Sequence, residues 1–310
     1  MKTIIIIFAS MVLLGGTSTK LFSQQDPSFN QYMFNTLSFN PAYAGSKDGL
    51  VANALSRFQW VGVAGAPRTV TLTAHTPTFM EQIGVGGSLM YDEIGPEKRY
   101  SFNLDFAYRT QLSFKNYVSF GMKLGAFGNQ VDFGELKFED DDPFATKESL
   151  SNLSPNIGFG AFLYSEEYYI GASIPRMMKT ENPNGTDDPD AKQTRHYYIT
   201  GGYIFTLSPS LKFKPTTLVK FVSSATPQAD ASLNFLFHET LWIGAFYRTT
   251  NIAGLIVQLQ PIKNISFGYS FDYPFSSINN IGGFAGSHEL MVGYSFQKKN
   301  SDKFKSPRYF

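Results

Sequence analysis

The chain of 310 residues carries 26 Lys and Arg against 25 Asp and Glu, no cysteine, and 30 Phe, 17 Tyr and 2 Trp. The lack of cysteine excludes a disulfide framework, a thiol nucleophile, a CxxC metal site and a lipidated lipoprotein cysteine. The charge balance excludes a broadly basic nucleic-acid binder. With aromatics and charged residues each at 16% the composition argues against disorder, and the length admits two ordinary domains or one large all-β domain.

In chain order, Met1-Lys2 forms a short positive start, and Thr3 to Thr19 is uncharged around Ile4-Ile5-Ile6-Ile7-Phe8. With small and polar residues following and Ser23 before Gln24 as a cleavage point, residues 1–23 are predicted to be a secretory signal peptide; the apolar stretch is too short to span a bilayer comfortably. Without Lys2 and Lys20, 24 basic residues face 25 acidic ones. Residues 24–48 then carry Phe29, Tyr32, Met33, Phe34, Phe39 and Tyr43, too aromatic to be left in solvent. They are expected to form an N-terminal periplasmic or plug segment, folded into a periplasmic mouth or docked on a partner.

From residue 49 the pattern has period two. Tyr100, Phe102, Leu104, Phe106 and Tyr108 share one face and Ser101, Asn103, Asp105, Ala107 and Arg109 the other. Comparable alternation runs from Tyr117, Leu211 and Ile265, a strand signature that no amphipathic helix produces. No later segment offers about 18 predominantly apolar residues for a transmembrane helix. Strands are predicted at 49–60, 67–76, 82–92, 98–111, 116–129, 155–165, 167–175, 195–207, 210–222, 227–237, 241–249, 253–260, 264–274 and 286–296, an even fourteen.

A soluble sandwich would turn the aromatic face inward, and a membrane barrel turns it to lipid. Segments of about ten residues suit a tilted bilayer crossing. Connections on one side are short (Pro77–Glu81, Leu112–Lys115, Glu166, Ser208–Pro209, His238–Thr240, Pro261–Lys263), whereas Gln130–Ser154, Arg176–Thr194 and Phe275–Ala285 on the other are long. Short periplasmic turns with long external loops are the outer-membrane pattern. The prediction is therefore all-β: a transmembrane antiparallel β-barrel of about 14 strands over 49–296, in the cell outer membrane, roughly 28 Å across between backbones. Phe58, Trp60, Tyr100, Tyr273, Tyr294 and Phe296 are assigned to its aromatic belts. Trp242 resists the scheme, since Ile243 and Tyr247 face outward and leave it inward.

Sites of chemistry are not found. His75, His196, His238 and His288 lack HxxxH or HExxH spacing, and no GxSxG elbow, Walker loop or complete GxGxxG occurs. No catalytic residue, cofactor or metal is assigned. Glu139–Asp142 and Glu181–Asp190 in the longest loops read as solvated tips ahead of Ca²⁺ sites, because EF-hand spacing is absent. Residues 297–310 form a basic C-terminal periplasmic tail with Lys298, Lys299, Lys303, Lys305 and Arg308, either non-specifically basic or a docking peptide.

Gln25-Asp26-Pro27, Gln31-Tyr32-Met33-Phe34-Asn35 and Asn40-Pro41-Ala42-Tyr43-Ala44-Gly45 resemble the opening of the PorP/SprF family of type IX secretion membrane proteins. Arg57 to Gly62, Gly65 to Thr69 with His75, Tyr168 to Pro175, Gly286 to Leu290 with Tyr294 and Phe296, and the ending Ser306 to Phe310 resemble later blocks. The resemblance implies an outer-membrane, non-enzymatic component of the type IX secretion and gliding machinery. Such a component associates with the periplasmic ring and serves secretion and cell-surface attachment of cargo with type B C-terminal domains, gliding adhesins included. It makes Tyr32, Phe34, Asn40, Pro41, Tyr43, Gly45, Arg308, Tyr309 and Phe310 the candidate partner-binding residues. The alternatives are a diffusion channel or hydrophobic-solute transporter, with Arg109, Lys123, Lys212, Lys220, Asp105 and Asp272 as lumen charges, and a barrel enzyme with a clustered nucleophile and base.

Overall fold

The computed structural model describes residues 26–80, 82–132, 150–178, 195–222, 225–275 and 285–297. The signal peptide assigned to 1–23, the acidic loop tips 139–142 and 181–190, and Arg308, Tyr309 and Phe310 lie outside them. Alternating sequence becomes strand throughout: β1 Gly49–Phe58, β2 Arg68–Pro77, β3 Ile83–Ile94, β4 Glu97–Ser113, β5 Asn116–Val131, β6 Leu150–Tyr164, β7 Tyr168–Ile174, β8 His196–Tyr203, β9 Phe205–Ser208, β10 Leu211–Val222, β11 Ala225–Phe237, β12 Leu241–Arg248, β13 Ile252–Ile262, β14 Ile265–Pro274 and β15 Ser287–Gln297. Apart from β8 and β9, which do not pair with each other, each strand pairs antiparallel with its sequence neighbours, and β1 pairs with both β2 and β15, so the sheet closes on itself. Closure removes every free sheet edge, which a bilayer demands.

Fifteen segments make fourteen staves. β8 and β9 both pair with β10, at Thr216–Val222 and Leu211–Phe213 respectively, and are two halves of one stave. The break falls at Ile204, whose side chain is buried and whose amide donates to the Glu167 carbonyl at 2.7 Å. That bond ties the stave to the β6–β7 turn instead of continuing the ladder. Among the described residues no helix is long and apolar enough to cross a membrane.

The two faces are inverted relative to a water-soluble protein. On β2, Thr69, Thr71, Thr73 and His75 are each 3% exposed while Val70 and Leu72 between them are 41% and 48% exposed. On β4, Tyr100, Phe102, Leu104, Phe106 and Tyr108 are exposed, and Asn103, Asp105 and Arg109 are buried. Rings and aliphatic chains left outside cost free energy in water but none against acyl chains, so this surface belongs in a bilayer. Phe58, Tyr100 and Tyr273 project outward near the long-loop end, and Tyr294 and Phe296 near the other. Trp60 departs from the expected alternation with Phe58. β1 ends at Phe58, and Trp60 lies in the following turn with φ 51°, half-buried, its amide donating to Ser287 Oγ at 3.3 Å.

Turn chemistry matches the connections. His238 and Glu239 have φ of 50° and 56°, the left-handed pair that closes a tight hairpin in register with strand twist. The β6–β7, β9–β10 and β13–β14 connections are of similar size.

Candidate functional site

Within the ring lie residues 26–48. Three short 3₁₀ turns, Tyr32–Phe34, Thr36–Ser38 and Pro41–Tyr43, shape the segment. Asn40 caps the last by accepting from the Ala42 amide at 3.0 Å, with Pro41 at its first position. The path is long. Asp26 meets Arg176 and His196 at the long-loop end, Tyr32 bonds Thr216 in mid-barrel, and Gly45 meets His75 and Arg109 at the short-turn end. The sequence leaves open a periplasmic mouth, a plug or a partner's surface for this segment; the path reaches the short-turn mouth only in its last stretch.

The densest anchoring surrounds Asn30. Glu289, fully buried, accepts the amides of Asn30 and Gln31 at 3.0 and 2.9 Å, one on each carboxylate oxygen, and also Arg57 Nη1 at 3.3 Å. Arg57 Nη2 pairs with Asp272 at 2.8 Å, and Asp272 accepts from Asn30 Nδ2 at 2.6 Å. Arg248 binds Asp230 through Nε and Nη2 at 2.8 to 3.0 Å and reaches Asn30 Oδ1 at 3.5 Å. Three carboxylates, two guanidiniums and two backbone donors thus pair with one another in a buried interior, the condition under which buried charge is tolerated, while Arg57 Nε is left without a partner. Register explains the grouping: Arg57 faces Glu289 across the β1–β15 closure and Asp230 faces Arg248 across β11–β12.

Further down, Asn35 donates to Thr71 and accepts from Thr73 at 2.7 Å, Asn40 Nδ2 donates to the Ala161 carbonyl at 3.1 Å, and Ser173 donates to the Phe39 carbonyl at 2.8 Å. Phe34 meets Trp242 edge-on at 6.0 Å, with Lys214 Nζ 5.3 Å from both rings. Tyr43 stands edge-on to Phe162 at 5.4 Å and to His75 at 5.2 Å. Trp242 therefore faces inward because the segment supplies an aromatic surface there. The wall is also cut to fit: a Cβ on Gly121 would collide with the backbone of Pro41 and Ala42, and one on Gly160 or Gly268 with the Asn40 or Gln31 side chain. Gly45, at φ 68°, passes Gly84 so closely that a side chain on either would strike the other's backbone.

The expected lumen charges are mostly present and engaged by partners. Lys123 pairs with Asp105 at 2.9 Å, Arg109 donates to the Gly45 carbonyl at 2.7 Å, and Lys220 donates to the Asp26 carbonyl at 2.8 Å. Lys212 differs: it sits at the short-turn mouth and ion-pairs with Glu239. Burial pushes the Asp26 carboxyl upward, but Arg176, His196 and Lys220 more than reverse this and hold it well below the usual carboxylate range. A cavity of about 90 Å³ remains beside the segment, bordered by Thr71, Ser88, Asn103, Lys123 and Asn156.

Of the candidate partner-binding residues, Tyr32, Asn40, Pro41, Tyr43 and Gly45 are buried and Phe34 half-buried, all against the barrel's own wall. Their side chains are thus committed to internal packing. Sequence reasoning missed Arg57, Glu289, Asp230 and Arg248 as a cluster; isolated charges on the polar face of neighbouring strands were its only trace. His75 and His196 face the lumen, while His288 lies tilted against Phe271 at 5.2 Å and bonds Tyr269 on the outer face. Among the described residues no group of three or more His, Cys, Asp or Glu could hold a metal ion.

Comparison with known proteins agrees with this geometry. No curated protein matches the chain. Among solved structures, the CymD monoaromatic hydrocarbon channel superposes with a TM-score of 0.50 at 9% identity, over 88% of this chain and 95% of that one. The Acinetobacter baumannii outer membrane protein Omp33 gives 0.46 at 8% identity over 81% and 100% of the two chains. A Pseudomonas aeruginosa FadL homologue gives 0.44 at 10% identity over 86% and 93%. At 9% identity the likeness to CymD is one of fold, the closed outer-membrane β-barrel. A family model described as type IX secretion system membrane protein PorP/SprF matches residues 21–294, and the chain belongs to that family.

Proposed function

We propose that this outer-membrane barrel is a closed-lumen component of the type IX machinery that supports secretion and surface attachment of cargo bearing type B C-terminal domains, gliding adhesins among them. The long-loop end holds the cargo, and the short-turn end with the basic tail 297–310 faces the periplasmic ring. The observation that carries the reading is the fit between residues 26–48 and the inner wall. A diffusion channel needs a continuous wet path, whereas here backbone amides end on a buried carboxylate and the wall at Gly121, Gly160 and Gly268 closes directly on the segment. Catalysis has no support in the site, where Glu289 and Asp272 hold the segment and Asp105 and Asp230 are paired with Lys123 and Arg248.

Deleting the gene and following one type B cargo tests this reading. The cargo is expected to leave the cell surface, and normal surface amounts in the deletion strain would overturn the role. Planar-bilayer recording separates the channel alternative: the intact barrel should pass little current, and steady conductance from it would favour a solute pathway.

A further inference from the structure

The outer wall carries a feature that the secretion role does not use. Cross-strand register aligns outward residues of β3 to β6 in one row: Tyr91 opposite Tyr100, Tyr100 opposite Gly128, and Gly128 opposite Leu153. Phe102 and Ala126 are paired in the next row toward mid-membrane. An apolar groove of about 340 Å³ on the lipid face is walled by these large side chains and by Val70, Leu72 and Leu89, and is lowest over Ala126 and Gly128. A Cβ built on Gly128 points between Leu153 and Tyr100 at ordinary contact distances of 3.6 and 3.8 Å. The floor is therefore low for want of side chains, not because the backbone is pinched.

The row above, toward the long-loop end, changes character. Arg68 lies opposite Glu93, and Glu93 opposite Lys98. Tyr91 Oη donates to Glu93 at 3.2 Å, so the rim sets two cations about one carboxylate that is already hydrogen-bonded. Depth and charge together define the occupant. The groove is in the outer-leaflet half, its walls are apolar and aromatic, and its rim bears net positive charge at headgroup level.

We propose that this groove binds an outer-leaflet glycolipid with phosphorylated sugars, one acyl chain lying over Ala126 and Gly128 and a phosphate meeting Arg68 and Lys98. The lipid shields the rim of the β3–β6 wall next to the long-loop end and fixes the barrel's depth on that side.

The test uses full-length barrel purified in detergent, with bis-phosphorylated lipid A and phosphatidylethanolamine as competing probes and bound lipid counted by native mass spectrometry. One lipid A retained in preference to phosphatidylethanolamine is the expected result. Gly128→Leu and Ala126→Leu, which fill the groove, should each lower retention about tenfold. Arg68→Ala and Lys98→Ala should each lower it about fivefold, the worth of one basic side chain near an anionic surface. Ala245→Leu, on the exposed face of β12, should leave it unchanged. Retention equal for both lipids, equal across groove and control variants, or replaced by a second copy of the protein would overturn the proposal. Heat-modified migration on gels reports whether each variant is folded, and should Gly128→Leu fail, Ala126→Leu carries the same test.

Discussion

Glu289 offers the sharpest perturbation of the internal segment. Its two oxygens receive the Asn30 and Gln31 amides and one Arg57 nitrogen in a fully buried site. Glu289→Ala leaves both amides without an acceptor, while Arg57 keeps Asp272 at 2.8 Å. A buried donor stripped of its partner costs about 1–3 kcal/mol. With water entering the small void to recover part of this, the net loss in seating the segment is about 3 kcal/mol. That raises the ratio of released to seated segment roughly a hundredfold. Hydrogen exchange read by mass spectrometry over residues 26–36 should register it as a roughly hundredfold loss of protection, because exchange follows local opening. Glu289→Gln, which keeps one acceptor oxygen, should fall between. Protection unchanged in Glu289→Ala would refute the claim that this carboxylate holds the segment.

Three further outcomes follow from the same geometry. Leu104→Arg on the lipid face of β4 should cost about 2–4 kcal/mol at mid-bilayer and lower the folded, heat-modifiable fraction in liposomes; equal folding would contradict the outward assignment. Arg248→Ala leaves Asp230 buried without its bidentate partner and should cost about 3–5 kcal/mol, read as a fall in unfolding temperature in detergent. At the long-loop end the depressed Asp26 carboxyl stabilises the seated state above the ordinary carboxylate range, and that contribution disappears only as pH falls through its lower folded value. Protease resistance of residues 26–30 should therefore stay flat from neutral pH to about pH 4 and weaken only in stronger acid. Asp26→Asn should already be more sensitive at neutral pH.

The wall of the barrel was legible because period two is a local property: Val70 and Leu72 against Thr69, Thr71 and Thr73 state their faces without any partner. The stave count survived for the same reason, since the break at Ile204 interrupts a ladder but not the alternation on either side. Trp60 shows the limit, because alternation predicts a face only while the strand lasts and β1 stops two residues earlier. The internal segment was legible only as something that must be covered. Its composition says that Phe34 and Tyr43 avoid water, yet Asn30 meets Glu289 across 259 positions of sequence, and no periodicity encodes such a meeting. Trp242 was the one hint, an inward aromatic on a polar face with no local justification.

The interior also separates two kinds of failure that a membrane barrel can suffer. In an open pore, lumen charges are solvated and their removal changes selectivity more than stability. Here Lys123 and Asp105 are 1% and 0% exposed, and a dry pair of this kind is held in place partly by the segment roofing it, since Lys123 Nζ also donates to the Leu37 carbonyl at 3.5 Å. Take residues 26–45 away and water floods the cavity, so that Arg57, Asp272 and Glu289 become hydrated and need no further compensation. The outer ladder, closed at β1–β15 and immersed in lipid, keeps its backbone bonds. A variant lacking residues 26–45 should therefore still show the heat-modified band of a folded barrel while passing more ions than the intact protein. Collapse of the fold without the segment, or a folded variant as impermeable as the parent, would each contradict an inner wall shaped around a removable filling.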